Sequence, residues 1–273
     1  MPIISATALK GGVGKTTLVH MLSGAFSLSG MRVLCLDNDA QNSLSSGFLG
    51  PDLVEQFDPS ETIAAIYAGH DPDPSQVIRP SGVAGVDLVA GSIAAGAFNK
   101  PDPHTAPAED QLRLKMFLDE IRDQYQMVLI DNPPNLNAAT WAAMIASDYS
   151  ITPLIPENYG TMSLSPVFES IRLIQSGPNP SVSSLGLILT MVQPRIGVHI
   201  AYENVLREVH GDAVFTARIP MATDIKEAIS HQLPVTHYKK NGASSKAFKA
   251  LAAEILTRIE AASATAPISQ EAA

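Results

Sequence analysis

The sequence predicts an α/β protein with a doubly wound, mostly parallel sheet and helices on both faces. Three observations support this fold class. A glycine-rich loop at residues 9–17 lies between a β-branched strand pattern and an apolar helical pattern. A continuous apolar run at residues 127–130 ends in Asp131, which is typical of a strand buried on both faces of a parallel sheet. Strand and helix patterns also alternate along the rest of the chain, as parallel strands with helical crossovers require.

The glycine-rich loop follows a strand pattern at residues 3–7 and precedes a helix. It reads Leu9-Lys10-Gly11-Gly12-Val13-Gly14-Lys15-Thr16-Thr17. Glycines without a Cβ allow successive backbone N–H groups to point at phosphate oxygens, next to the positive end of the helix. Lys15 is expected to hold the β- and γ-phosphates, the Thr16 hydroxyl to complete a Mg²⁺ shell, and Thr17 to add a hydrogen bond. The loop therefore predicts a P-loop NTPase, in which Lys10 marks the variant K-G-G-x-G-K-[ST]-[ST] and Leu9 stands where the usual first glycine would be.

A second strand pattern at residues 32–37 ends in Asp37, and Asp39 follows two residues later. The carboxyl ends of parallel strands are where open sheets bind ligands. Asp39 is therefore expected to orient or deprotonate a water molecule, and Asp37 to contact Mg²⁺ through water or to hold Lys15. The alternative is that the two acids cap the next helix.

Residues 51–107 are rich in Pro, Gly and Asp, interrupted by a helical pattern at 62–67 and a strand pattern at 86–89. This composition predicts an insertion with short elements of its own rather than a second domain. Nothing in its residues indicates a function.

A helix predicted at 109–124 leads to the strand pattern at 127–131, which carries the second functional motif. Asp131, at the exit of this strand, is expected to hold Mg²⁺ through water as a Walker-B acid. The stiff segment Asn132-Pro133-Pro134 then belongs beside the γ-phosphate, where a loop can sense that group.

The remaining patterns complete one domain. Strands are predicted at 150–155, 185–192 and 213–216, and helices at 162–175, 198–209, 222–230 and 244–259. We therefore expect a single P-loop domain at residues 1–260. The Ala, Ser, Thr and Pro content of the tail at 261–273 predicts disorder.

Composition limits the possible functions. The 273 residues are 45% hydrophobic and 16% charged, as in a globular chain able to bury a core. The net charge of −9 excludes a surface that is positive throughout, so any DNA contact needs a local basic patch. The single cysteine, Cys35, cannot form an internal disulfide. The chain shows neither a signal-peptide pattern nor an apolar run near the about 18 residues of a membrane span, so a cytoplasmic location is expected.

These motifs resemble the ParA/MinD branch of P-loop ATPases, and most of all the small ParA proteins of plasmid and chromosome partition. The similar segments are residues 10–17, 37–41, 129–134, 153–157, 219–220 and 227–234. The resemblance implies that the cofactors are ATP and Mg²⁺ and that two subunits enclose two ATP molecules. It also implies that Lys10 crosses into the partner's site, where a cation at the γ-phosphate offsets charge in the transition state.

The resemblance assigns roles to individual residues. Asp39 falls on the family's water-positioning acid, so the catalytic set is Lys10, Lys15 and Asp39. The nucleotide-binding set is Gly11, Gly12, Val13, Gly14, Lys15, Thr16, Thr17, Gln193 and Pro220, the last two for the adenine. The metal-binding set is Thr16, Asp37 and Asp131.

A ParA-like protein is expected to bind DNA without sequence preference as the ATP-bound dimer, at the nucleoid, and to release it when a ParB-like partner stimulates hydrolysis. Where small ParA proteins carry DNA-contacting arginines, this chain has Asp224, which repels phosphate. The remaining candidates for DNA contact are Arg195, Lys226, Lys239, Lys240, Lys246 and Lys249. A basic face is one interpretation of these residues, and an ordinary solvated surface is the other.

Three other functions are weighed against partition. A membrane switch similar to MinD needs a terminal amphipathic helix, and residues 261–273 offer neither a basic nor a bulky apolar face, so no membrane partner is expected. A metabolic kinase is disfavoured by Lys10 and by the absence of a recognisable acceptor pocket. A related ATPase that positions another cargo or a cell-division factor, or that regulates a surface-polymer machine, stays open.

Overall fold

A computed structural model describes residues 1–157 and 164–265 of the chain. Within these ranges the strands form one eight-stranded sheet. The strands are β1 (Ile3–Ala6), β2 (Val33–Asp37), β3 (Ile78–Pro80), β4 (Val86–Val89), β5 (Met127–Asp131), β6 (Tyr149–Leu154), β7 (Ser183–Val192) and β8 (Val214–Pro220). The first helices are α1 (Lys15–Leu28), α2 (Ser43–Leu49), α3 (Pro51–Val54), α4 (Ile63–Tyr67), α5 (Pro74–Val77) and α6 (Ala108–Glu120). They are followed by α7 (Ala138–Ala146), α8 (Leu164–Gln175), α9 (Gly197–His210), α10 (Thr223–Ser230), α11 (Val235–Tyr238) and α12 (Ala243–Thr265).

The sheet has the order β3-β4-β2-β5-β1-β6-β7-β8, and every neighbouring pair is parallel except β3 with β4. Consecutive residues of β1 point to opposite faces. Ile4 packs in the core beneath α1 and α12, whereas Ile3 packs in the core beneath α4 and α6. Helices therefore cover both faces, and the predicted doubly wound α/β sheet is confirmed.

The register of the central strands brings the functional loops together. Ala6 of β1 and Asp37 of β2 both pair with Asp131 of β5. Because the three strands are parallel, the loops that follow them leave the same edge of the sheet. The glycine-rich loop, the segment after Asp37 and the segment after Asp131 are neighbours for this reason.

Residues 51–107, predicted as an insertion with short elements of its own, contribute two strands to the central sheet. Strand β4 pairs with β2, and β3 adds an antiparallel strand at the edge, so this segment extends the central sheet. Its apolar residues, such as Ile63 and Val89, pack in the same core as β5. The many Pro, Gly and Asp residues end its short elements without separating them from the domain.

The other differences concern elements that no sequence pattern predicted, such as α7 and β3, and the positions where predicted elements end. Strand β8 continues to Pro220, beyond the predicted end at 216, because it keeps pairing with β7 as far as Val192. Helix α12 continues to Thr265, so residues 261–265 of the predicted tail are helical, as their alanine content favours. Residues 266–273, and the predicted helix start at 162–163, lie outside the described ranges. None of the helices that the structure describes combines the length and apolar character needed to cross a membrane.

The core contains a buried histidine that makes stability depend on pH. His20 of α1 packs edge-on against Phe48, and neither ring nitrogen has a hydrogen-bond partner among the described residues. Burial lowers the pKa of His20 to about 3, so the folded protein keeps the ring neutral while the unfolded chain takes up a proton below about pH 6.5. The stabilising contribution is complete above that pH and is lost as the pH falls towards 3.

We therefore expect His20→Leu to reduce the loss of stability on acidification from pH 6.5 to 4. The free energy of unfolding of the wild type should fall more steeply than that of the variant, by at most about 1.4 kcal/mol per pH unit. Urea unfolding at a series of pH values measures this slope. His70→Leu, at an exposed position, is the control, and equal slopes for His20→Leu and the wild type would contradict the prediction.

Candidate nucleotide-binding site

The loop between β1 and α1 has the backbone of an anion cradle. Gly12 and Gly14 have φ angles of +75° and +87°. Residues with a Cβ rarely adopt this region of backbone conformation. Gly14 is the N-cap of α1, whose first turn contains no acidic residue. The Thr190 hydroxyl donates to the carbonyl of Val13 at 2.8 Å, which ties the loop to β7. The free N–H groups of this helix end therefore face a position suited to phosphate.

Lys15, the first residue of α1, is buried beneath the loop. Its ammonium donates to the carbonyl of Ala8 at 3.3 Å, which folds the side chain back along the loop. Burial lowers the pKa of Lys15, and the charges of Asp131 and Asp39 oppose this effect. A buried ammonium with a single neutral acceptor is ready to bind an anionic ligand.

Asp131 is the buried acid at the exit of β5. Its side chain is fully buried, and neither carboxylate oxygen has a hydrogen-bond partner of normal geometry in the described part of the chain. Burial and the nearby charge of Asp37 raise the pKa of Asp131 well above its usual value, while the Thr16 hydroxyl and the Lys15 ammonium oppose the rise. Unpaired buried carboxylate oxygens beside a hydroxyl are suited to hold the water shell of Mg²⁺, so these residues fit the expected metal.

Asp37 has a different environment. Its Oδ2 accepts hydrogen bonds from the backbone N–H of Ser45 at 2.8 Å and from the Ser45 hydroxyl at 2.7 Å. Burial raises the pKa of Asp37 to about 6, although the bonds from Ser45 favour the charged form. Asp37 thus satisfies an N–H group in the first turn of α2, which is the capping alternative. Since the Lys15 ammonium bonds to Ala8 instead, the structure does not support Asp37 as the holder of Lys15. Its role as a magnesium ligand stays a prediction.

Asp39 lies two residues further on and is half-buried. Its Oδ1 accepts from the backbone N–H of Gln41 at 3.1 Å, a turn within the loop rather than a helix cap. The second oxygen takes part in no described hydrogen bond, and the charge of Asp39 acts on the Lys15 ammonium. Asp39 is therefore the acid at this sheet edge that is open to solvent and close to the P-loop lysine.

Lys10 is exposed on the loop, whereas Lys15 is buried. Its ammonium forms an ion pair with Glu157 at 2.8 Å, and both side chains are exposed. This contact lowers the pKa of Glu157 by hydrogen bonding and charge. Glu157 follows β6, and no local sequence pattern indicates its contact with Lys10. Lys10 makes no described contact with Asp39 or Asp131, so within one chain it does not complete the site.

An apolar cavity of about 180 Å³ adjoins the P-loop. It is lined by Gly14, Thr17, Leu18, Thr190, Met191, Ile219, Pro220, Met221, Ala222, Ile225, Lys226, Ile229 and Phe248. Pro220, predicted to contact the adenine, lines this cavity. Gln193 is at the rim, where its amide contacts the sulfur of Met221 at 3.2 Å. The sequence did not predict that residues of α10 and α12 line this cavity. No local pattern distinguishes an apolar residue that faces a cavity from one that faces the core.

The candidates for DNA contact fall into separate places. Lys226 lines the cavity beside Gly14 and Thr17, near the start of α1. Lys240 and Lys249 line a groove with Phe26 and Leu28, near the end of the same helix. With a rise of 1.5 Å per residue, the two ends of this 14-residue helix are about 20 Å apart.

The other basic candidates are also exposed. Arg195 lies in the turn after β7, Lys239 follows α11, and Lys246 is on α12. Asp224, predicted to repel DNA, accepts a hydrogen bond from the Ser244 hydroxyl at 2.6 Å. A lysine group at 239–249 is therefore distinct from Lys226 at the nucleotide cavity.

The fold and this site define a P-loop nucleotide-binding protein. Residues 1–184 match the family described as an AAA domain. The chain is 31% identical over 254 residues to the sporulation initiation inhibitor protein Soj of Bacillus subtilis, covering 93% of this chain and 97% of that protein. It is 30% identical to the chromosome partitioning protein ParA of Caulobacter vibrioides, covering 94% of each. The chain therefore belongs to the ParA/Soj family of chromosome-partitioning ATPases.

A solved structure shares the fold. Cobyrinic acid a,c-diamide synthase from Mycobacterium smegmatis, with bound ATP analogue and magnesium, superposes with a TM-score of 0.77. The match covers 95% of this chain and 96% of that chain at 22% sequence identity. At this identity the likeness concerns the arrangement of strands and helices alone.

Proposed function

We propose that this protein is a Mg²⁺-dependent ATPase that acts as a dimerisation switch in the partition of plasmid or chromosomal DNA. The observation that carries the proposal is the P-loop with its buried Lys15, whose charge interacts with the buried carboxylate of Asp131. Family membership supports the same conclusion, because Soj and ParA relatives match nearly the whole chain. The cytoplasm, at the nucleoid, is where such a protein would act.

Different residues of the site are proposed to bind ATP and to catalyse its hydrolysis. Backbone N–H groups of residues 11–17 and the Lys15 ammonium bind the β- and γ-phosphates, and the apolar cavity beside Pro220 takes the adenine. Thr16 and Asp131 hold Mg²⁺, which when bound neutralises charge that develops on the phosphate oxygens. Asp39 orients the attacking water and accepts its proton.

The position of Lys10 supports the dimer part of the proposal. It is exposed, and Glu157 is its one ion-pair partner among residues 1–157 and 164–265, although it lies in the same loop as Lys15. A second copy of the chain that faces this edge of the sheet could receive the Lys10 ammonium at its γ-phosphate. ATP would then bridge the two subunits, and hydrolysis would separate them.

DNA binding in the ATP-bound state tests the proposed switch. With ATP and Mg²⁺ we expect the protein to bind a fluorescently labelled duplex of arbitrary sequence with a Kd of about 10⁻⁴ to 10⁻⁶ M that weakens steeply with salt. With ADP the affinity should be at least about tenfold lower, because a monomer presents half of the phosphate contacts. Fluorescence anisotropy at several salt concentrations measures both effects.

Charge variants locate the DNA-binding surface. Lys249→Ala should weaken binding and reduce the slope of log Kd against log salt by about 1, as expected when one phosphate contact is lost. Lys115→Ala removes an exposed lysine from α6 and is the control. Equal affinity for DNA with ATP and with ADP would contradict the proposed switch.

The proposed switch also includes a ParB-like partner protein, which would raise the rate of ATP hydrolysis and so release the DNA.

A further inference from the structure

Three buried polar side chains connect the functional loops to the segment at residues 51–107. They are Tyr67 of α4, Asn38 between Asp37 and Asp39, and Asn132 directly after Asp131. At most 5% of each residue is exposed. Buried polar groups of this kind fix one geometry when every member is satisfied, and destabilise the fold when one is not. The hydrogen bonds of these three residues therefore decide what they do.

The side-chain amide of Asn38 is at the centre of this hydrogen-bond network. Its Nδ2 donates to Oδ1 of Asn132 at 2.8 Å and to the carbonyl of Ala139 at 2.9 Å. Its Oδ1 accepts from the Tyr67 hydroxyl at 2.5 Å. Both N–H groups and the oxygen of this side chain are thus paired. The orientation of the amide is fixed, because the Ala139 carbonyl can only accept.

Asn132 continues the chain of hydrogen bonds to the strand before the P-loop. Its Nδ2 donates to the carbonyl of Ala6 at 3.1 Å. In addition, the backbone N–H of Asn38 donates to the carbonyl of Asp131 at 2.9 Å. The network thus joins the ends of β1, β2 and β5, the three strands that lead to Lys15, Asp39 and Asp131.

Tyr67 supplies the external anchor of this network. Its ring stacks on Phe98 with centroids 4.1 Å apart and planes inclined by 9°. Helix α4, which carries it, is capped by the Thr62 hydroxyl and packs in the core beneath β2 and β5. The hydroxyl of Tyr67 is therefore held at a fixed position from outside the three loops.

We propose that Tyr67, Asn38 and Asn132 are positioning residues for ATP hydrolysis, and that residues 51–107 act on catalysis through the Tyr67 hydroxyl. The network holds the Asp39 loop at a fixed distance from the P-loop and from Asp131. This inference rests on the proposed ATPase activity. Catalysis by a water-orienting carboxylate is sensitive to displacements of about 1 Å, so losing this anchor reduces turnover without touching the phosphate ligands.

Tyr67→Phe tests the proposal because it keeps the ring and its stacking but removes the hydroxyl. Tyr125→Phe is the matched control, since Tyr125 is equally buried and its hydroxyl also donates to one side chain, Asp87, at 2.9 Å. Tyr125 precedes β5, at the sheet edge opposite to the P-loop. We expect Tyr67→Phe to lower kcat for ATP hydrolysis by about 10- to 100-fold with KM changed less than about twofold. Tyr125→Phe should leave both parameters unchanged.

A second measurement does not depend on hydrolysis. Amide hydrogen exchange reports the opening of the backbone bond from Asn38 to Asp131 and of the turn from Asn42 to Asp39. Tyr67→Phe should accelerate exchange at both amides by about tenfold or more, whereas Tyr125→Phe should not.

The outcomes separate this inference from the proposed function. Faster exchange together with a lower kcat supports it. Unchanged exchange overturns it, and so does a normal kcat in a variant whose exchange is faster. If the wild type hydrolyses no ATP, the proposed function fails, and the exchange data alone decide whether the network holds the Asp39 loop.

Discussion

Asp39→Ala is expected to slow ATP hydrolysis by about 10² to 10⁴-fold while ATP stays bound. General-base catalysis contributes a factor of this size, and the half-buried Asp39 is the proposed base. The proposed phosphate ligands are backbone N–H groups and Lys15, so ATP binding should change little. Single-turnover hydrolysis and nucleotide titration measure the two properties separately.

The same variant should accumulate as the ATP-bound dimer, because the step that separates the subunits has been slowed. Asp73→Ala is a matched control, since Asp73 also accepts a hydrogen bond from the backbone N–H two residues later, at 2.8 Å, but far from the site. Hydrolysis by Asp39→Ala at the parental rate would show that another group activates the water.

Lys10→Ala is expected to prevent ATP-dependent dimerisation and to reduce turnover by about 10³ to 10⁵-fold. A cation delivered in trans to a γ-phosphate has an effect of this size in related phosphoryl-transfer enzymes. Binding of ATP to one subunit should persist, since Lys10 is exposed and makes its described ion pair with Glu157 alone. Light scattering with ATP and with ADP measures the change in mass.

The dimerisation test is sharpest in the Asp39→Ala background, where hydrolysis does not remove the dimer. Lys115→Ala is the control, because Lys115 also forms an exposed ion pair with a carboxylate, that of Asp119 at 2.6 Å. If Lys10→Ala with Asp39→Ala still doubled in mass on addition of ATP, the role of Lys10 across the interface would be wrong.

The glycine-rich loop could be predicted from the sequence because the residues that form it are adjacent in the chain. Gly12 and Gly14 adopt positive φ angles that few other residues tolerate. Their spacing in the sequence therefore predicted a loop whose backbone N–H groups can surround an anion. The strand that ends in Asp131 was predicted with its observed bounds, since a continuous apolar run is typical of a strand buried on both faces.

Residue roles that depend on contacts between side chains could not be predicted from local sequence. Asp37 and Asp39 look alike in the sequence, yet Asp37 is bonded to Ser45 and Asp39 remains open. Glu157 reaches Lys10 across 147 residues. No periodicity encodes such contacts, because they depend on how the loops and helices after the strands are placed in space.

Sequence alone determined the fold class, the glycine-rich loop and every strand except β3, since these follow from backbone preferences and from the spacing of apolar residues. The tertiary structure decided that residues 51–107 belong to the central sheet, that the lysines divide between the two ends of α1, and that Tyr67 is bonded to Asn38. The physical reason is that burial, ion pairing and hydrogen bonding depend on distance in space, and a chain that folds by crossover connections makes neighbours of residues far apart along it.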